Sequence, residues 1–398
     1  MQSPFIRYSK EKEIYELNKI KEYSRGTLVE VHISDIHFGA LDPKYQYDIL
    51  CEQMLNKLYD INFDIFSIDG DLFDHKFMSN SNVIMYACMF IDKVVNLCRL
   101  KNATLIILHG TLLHDADQLK LFYHYIEDPS IDIRIVENVQ FEYIKGAKIL
   151  CIPELYNRGE DFYNQYLLYS GDYDSVFMHG EIKGSIYNKN PEVGLNSTKS
   201  PVFTIEDFCN CRGPIISGHV HKAGCFNSYF YYNGSPYRWQ FGEEEDKGFL
   251  IVLHNLDTHQ HYVELQTIES FRYDTINLDY MLTRDPKEVI SYIDNLQNNG
   301  IDFLRVEFED VTDTTLSNIN LIKKYYRNNN RVKINATIDR NKQYIQENKE
   351  VLDKYKEYDY ILDNKLNDYD KLTQYINHKK GYEYLTVDEL KTILSEDI

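Results

Sequence analysis

Two periods of apolar residues alternate along the chain, and the changes from one to the other mark out its elements. Residues 28–34 form a short apolar run, the pattern of a buried strand. Tyr47, Leu50, Cys51, Met54, Leu55 and Leu58 then recur at helical spacing. Asp64-Ile65-Phe66-Ser67-Ile68 predicts a second strand. A second amphipathic helix is expected over 81–100, with Val83, Ile84, Ala87, Cys88, Ile91, Val94, Val95 and Cys98 on one face. Further on come strands 104–108 and 148–152, a helix near 158–169, strand 174–178, and a polar loop over 183–201. Thr204-Ile205-Glu206-Asp207 reads as a helix start, and 214–217 as a strand. Three short strands follow near 228–233, 248–254 and 261–267. This alternation, followed by more strands, predicts an α/β fold with packed sheets, not one doubly wound sheet.

The pattern changes after about residue 270. Asp285-Pro286-Lys287-Glu288 supplies an N-cap, a proline at the first helical position and a carboxylate at N3, with Gly300 beyond the far end. Strand 303–308, a helix near 314–327 and strand 331–338 complete a small α/β unit. The N-terminal stretch 8–25 reads as a helix. The last stretch has helical spacing at Leu372, Tyr375, Ile376, Leu390, Ile393 and Leu394, with a capping box at Thr386-Val387-Asp388-Glu389. The expected organisation is an N-terminal helical extension (1–26), a main α/β domain (27–268), a small α/β domain (269–339) and a helical C-terminal segment (340–398).

Composition narrows the class. A length of 398 residues, 43% hydrophobic and 26% charged, accommodates two or three domains with their own cores. No apolar run approaches the ~20 residues of a spanning helix. Lys10, Lys12, Lys19 and Lys21 interrupt any signal-peptide core, so a cytoplasmic protein without membrane partners is expected. The seven cysteines include no C-x-x-C pair and are expected to be reduced and mostly buried. A net charge of −19 argues against nonspecific nucleic-acid binding by the chain as a whole. It does not exclude a nuclease, because clustered carboxylates are offset by divalent ions.

The chemistry sits at strand ends. Asp35 and His37 follow the first strand, and alternate residues there can aim at one point. Asp71 and Asp74 follow the second, His114 and Asp115 the third, His179 the strand 174–178, and His219 and His221 the strand 214–217. Singly, each reads as a turn residue or a cap. Together they form an ordered set at the strand ends where open α/β sheets bind ligands. Carboxylates with imidazoles and no thiolate suit manganese, iron or zinc. Two such ions bridged by one carboxylate, ~3.5–4 Å apart, clamp a phosphate ester. One more imidazole can protonate the leaving oxygen.

Asp35-Ile36-His37, Gly70-Asp71-Leu72-Phe73-Asp74, His114-Asp115, Met178-His179-Gly180-Glu181 and Gly218-His219-Val220-His221 resemble the five ordered motifs of calcineurin-like metallophosphoesterases. Tyr232-Asn233-Gly234-Ser235-Pro236 and Lys247-Gly248-Phe249 narrow the resemblance to SbcD-type nucleases, including shortened bacteriophage versions. It covers about 28–265, and the unit at 270–338 matches a capping domain by position and size. The resemblance implies a metallophosphoesterase β-sandwich flanked by helices, hydrolysing DNA phosphodiesters with metal-activated water. Asp35, His37 and His221 would hold a first metal, manganese for preference, and His179 and His219 a second. Asp71 would bridge the two, His114 would be the catalytic imidazole, and Asp74 would orient a neighbour. The implied partners are DNA, a second copy of the chain, and an SMC-like coiled-coil ATPase (SbcC-type) engaged by the C-terminal segment in repair or recombination.

The third motif departs from the family pattern. Leu113 stands where the family has an asparagine that ligates the second metal, so a weakened second site, with water in place of the missing ligand, is expected. Two other readings stay open: a phosphodiesterase or phosphatase for a small molecule, and a weakly catalytic DNA-binding scaffold subunit.

Overall fold

Strand β1 (Thr27–Ile33) feeds two layers at once, because alternate side chains leave a strand on opposite faces. Val29, Val31 and Ile33 join the apolar face of helix Asn82–Lys101, which buries Ile84, Ala87, Phe90, Ile91, Val94 and Val95. Leu28 packs on the other side with Ile65, Ile106, Ile149 and Phe177. Each large aliphatic or aromatic side chain so buried contributes roughly 1.5–3 kcal/mol relative to exposure. The computed structural model describes residues 26–184, 201–243, 245–338, 366–380 and 385–395. The helix expected over 8–25 and most of the loop expected over 183–201 lie outside them.

The remaining strands of the first unit are β2 (Ile65–Asp69), β3 (Thr104–Leu108), β4 (Asp132–Val136), β5 (Gln140–Ile144), β6 (Ala147–Ile152) and β7 (Ser175–His179). They continue with β8 (Glu181–Ile182), β9 (Val202–Phe203), β10 (Ile215–Gly218), β11 (Gly224–Cys225), β12 (Phe230–Tyr232), β13 (Gly248–Asn255) and β14 (His261–Thr267). One six-stranded sheet has the order β14-β13-β1-β2-β3-β4, with β1 to β4 parallel. The other runs β11-β12-β10-β7-β6-β5, with β12, β10, β7 and β6 parallel. The chain is therefore mixed α/β, as its alternation predicts. β4 and β5 alternate apolar residues with charged or polar ones over only five positions each and were not assigned as strands from the sequence.

The helical spacing from Tyr47 to Leu58 is realised unevenly. Pro43–Ile49 is α-helical, Leu50–Leu55 is π-helical, and Asn56–Leu58 returns to α. The helix start at Thr204 is a single 3₁₀ turn, Ile205–Phe208, closed by a capping box with Asp207. The cysteines are all free, but the expectation that most are buried is corrected: Cys98 and Cys151 are buried, four are half-buried and Cys209 is exposed. Cys51 and Cys88 pack partly buried against the main core, and Cys209 and Cys211 fall between Ile205–Phe208 and β10.

The chain divides into two compact units, Met1–Asp274 with Gly300–Phe303, and Thr275–Asn299 with Leu304–Ile398. β15 (Tyr273–Asn277), β16 (Phe303–Val311) and β17 (Val332–Ile338) form a three-stranded sheet. In the second unit, helix Pro286–Asn298 is capped by Asp285, whose side chain accepts from Lys287 N. Helices Asp368–Lys380 and Val387–Ser395 stand in the C-terminal segment, leaving Leu372, Tyr375, Ile393 and Leu394 exposed.

Between the two large sheets lies a charged network. His32 is fully buried, with Nδ1 2.9 Å from Asp69 Oδ2 and Nε2 3.3 Å from Glu30 Oε2. Asn233 Nδ2 donates to the same Asp69 oxygen at 2.7 Å. Burial opposes the His32 charge, but the Asp69 and Glu30 carboxylates outweigh it and lift the pKa from 6.5 to about 9. A raised histidine pKa gives stability that is fully present below pH 6.5 and is lost as pH climbs through about 9. That shift corresponds to up to about 3 kcal/mol. Urea unfolding of the parent should therefore show stability falling between those pH values, and His32→Gln should flatten that slope. A parallel slope in the variant would refute the assignment.

Candidate metal centre

The parallel strands of both sheets deliver their C-terminal ends to one place. Asp35 and His37 follow β1, Asp71 follows β2, His179 ends β7, and His219 and His221 follow β10. Backbone pairing continues past the strands: Asp35 N donates to Gly70 O at 3.1 Å and His37 N to Asp71 O at 3.0 Å. Asp35, His37, Asp71 and His219 all adopt positive φ, between 48° and 79°. Left-handed backbone costs a non-glycine residue roughly 1–2 kcal/mol, and such outliers cluster at functional sites. Here the strained conformations turn four side chains inward.

Surrounding groups fix those conformations. Gln46 donates to His37 O at 2.9 Å and accepts from Gly39 N at 2.8 Å, clamping the loop after β1. Asp115 is fully buried and accepts from the backbone N–H groups of Gly110, Asp71 and Phe73 at 2.8, 3.1 and 3.1 Å. Burial and the Asp71 charge push its pKa up to about 6. Glycines let the loops close in: a Cβ on Gly70 would lie 2.2 Å from His179 Nδ1, and one on Gly218 2.3 Å from Asp69 O. His179 Nδ1 donates to Asp69 O at 2.7 Å, which leaves Nε2 turned into the site.

Several His, Asp and Glu groups are positioned to hold a metal ion. Asp35, His37 and His221 form one group, in which the two Nε2 atoms face each other at 3.2 Å. His221 is backed by Lys247, whose Nζ donates to its carbonyl at 2.7 Å and to Ser235 Oγ at 3.0 Å. Ser235 N donates to the same carbonyl at 3.1 Å, so the Gly234-Ser235 segment braces this ligand. Trp239 packs beside both imidazoles, with ring centroids 5.1 and 5.2 Å away. A second group unites His179, His219 and Glu154, and a third joins Asp35, Asp71 and His179. One Asp71 oxygen lies 3.7 Å from His37 Nε2 and 3.3 Å from His179 Nε2, so this carboxylate links the two sides. His37, Asp74 and His114 make a further group, with His114 Nδ1 against the Asp74 carbonyl and its ring 4.7 Å from that of His37.

The electrostatics suit a cation. His179 Nε2 and His37 Nδ1 are buried without a hydrogen bond, unusual for imidazole nitrogens inside a protein. Burial drives the His37 pKa down to about 4, so the ring is neutral and ready to coordinate at pH 7. Burial also works against charge on Asp71, yet His179 holds its carboxyl well below the usual range, and Asp71 in turn raises His179.

Two features escaped the sequence. Leu113 lies in the short helix Leu112–Asp115, is 80% exposed and offers no donor atom. Thr111 does reach the site: its Oγ1 donates to Glu154 Oε2 at 2.9 Å and lies 3.3 Å from Asp71 Oδ2. Glu154 follows β6 by two residues, the same placement as Asp35 after β1 and Asp71 after β2. That placement was its available signal; Pro153, where Asp71 has Gly70 and Asp35 has Ser34, hid it.

No protein-family model matches the chain, and no curated protein matches it. Several solved structures match, one of them at 14% identity and a TM-score of 0.35, over 61% of this chain and all of its own. At that TM-score the likeness decides nothing about fold or activity.

Proposed function

We propose that the chain is a metal-dependent DNA nuclease of the SbcD-like metallophosphoesterase type. The observation that carries this reading is the single Asp71 oxygen set between His37 and His179, each imidazole belonging to its own ligand group. Asp35, His37 and His221 would hold one divalent ion, His179 and His219 the other, with Asp71 shared. Bound there, a pair of such ions polarises a phosphoryl oxygen and lowers the pKa of water. The chain's own part is to hold imidazoles and carboxylates at fixed separations and to supply a proton. His114 Nδ1 is occupied by the Asp74 carbonyl, so Nε2 is the nitrogen left to protonate the departing sugar oxygen.

His114→Ala should retain bound manganese and lose about 10²-fold or more in phosphodiester cleavage. An unchanged rate would remove His114 from the chemistry. Linear duplex DNA assayed beside a small chromogenic diester, with manganese and then EDTA, tests the substrate class. Manganese-dependent cleavage of DNA supports the nuclease. Hydrolysis of the diester alone would favour a small-molecule enzyme, and no hydrolysis of either would favour a scaffold.

In this reading the protein works in the cytoplasm as a homodimer with an SbcC-type ATPase. The exposed apolar residues of Asp368–Lys380 and Val387–Ser395 support a partner-binding C-terminal segment. Among the described residues no helix is long and apolar enough to cross a membrane. A monomeric mass by light scattering, or full ATPase capture after deletion of 341–398, would sink these assignments.

A further inference from the structure

We infer that Glu154 is a ligand of the second metal ion, taking from another strand the part that Leu113 cannot play. The inference rests on the two-metal reading above and deepens it. Glu154 is 2% exposed, a burial that a glutamate tolerates only when its charge is matched. No lysine or arginine is among its partners in the described residues. Both oxygens are instead aimed by hydroxyl groups: Oε1 accepts from Tyr156 OH at 2.7 Å and Oε2 from Thr111 Oγ1 at 2.9 Å. The same Oε2 lies 3.3 Å from His219 Nδ1 and 3.7 Å from His179 Nε2, the nitrogen without a hydrogen bond. A carboxylate held by hydroxyls on its flanks and facing two imidazoles has the form of a ligand with its supporting partners.

The replacement changes charge as well as position. A neutral side chain at this point would leave Asp35 and Asp71 as the two carboxylates in the ligand sets against two dications. Glu154 adds a third carboxylate, lowering the net charge of the loaded centre by one unit. The second ion is therefore held more tightly than the Leu113 departure alone implies. Adding an amide at 113 gains nothing, because that side chain points to solvent.

Manganese counting by mass spectrometry and titration calorimetry on the full-length chain tests this. The parent should hold two ions. Glu154→Ala should hold one, with the second weakened about 100-fold or more while the first is unchanged, and Glu154→Gln should weaken the second about 10- to 100-fold. Leu113→Asn should match the parent. Near-ultraviolet circular dichroism identifies a variant that fails to fold, and the isosteric Gln variant then decides. Two ions held with parental affinity in both Glu154 variants would overturn the inference and leave the two-metal reading intact. A parent that binds no manganese would overturn both, and a gain of affinity in Leu113→Asn would overturn the inference.

Discussion

Asp71→Asn is expected to lower manganese-dependent phosphodiester cleavage by about 10³-fold while leaving the fold in place. Asp71 sits at φ 53°, a left-handed conformation that asparagine tolerates better than most residues. The amide oxygen can still accept from Thr111 N, which donates to Asp71 Oδ1 at 2.6 Å. What is lost is the one anion placed between the two ligand groups. Removing about 4 kcal/mol of charge stabilisation corresponds to that rate loss. Steady-state kinetics with a thermal melt on the same samples would check it. A variant within tenfold of the parent would show that Asp71 does not bridge.

Gly110→Ala should be the most damaging of the small changes, at about 3 kcal/mol of stability together with lost manganese affinity. An added Cβ would lie 2.2 Å from Asp71 N and 2.2 Å from Asp71 Oδ1. The first is backbone and cannot rotate away, so the loop carrying Asp71 must move and Asp115 loses its grip on it. Gly146 gives the matched control. It occupies the β5–β6 turn at φ +91° with nothing within 4 Å of an added Cβ. Gly146→Ala should cost about 1 kcal/mol of backbone strain and leave metal binding as it was. Urea unfolding and manganese titration of both variants separate the cases. Equal effects would show that close approach at Gly110 is not what shapes the site.

How much of this was legible beforehand depended on range. Caps are local, and the sequence placed them: Asp285 before Pro286, and Thr386 with Glu389, whose carboxylate accepts from Thr386 N at 2.8 Å. Strand ends were legible because an apolar run stops abruptly at a ligand-type residue beside glycine. The inter-sheet charges were not. Glu30 and His32 alternate with Val29, Val31 and Ile33, a pattern that by itself suits a solvated polar face, and only the second sheet makes their side of β1 an interior.

The sequence by itself determined most of the order of strands and helices, the caps, and the strand ends at Asp35, Asp71, His179 and His219, since each follows from residues a few positions apart. The tertiary structure alone decided which donors share a centre. His37 and His221 are 184 positions apart and meet only because two sheets bring their C-terminal edges together. Glu154 is one of 62 acidic residues, and its place two positions after an apolar run is a local signal too weak to separate it from a solvated one. Its role comes from β6 lying beside β7, which sets it against His179, and from the turn Leu112–Asp115, which sends Leu113 outward while Thr111 points in.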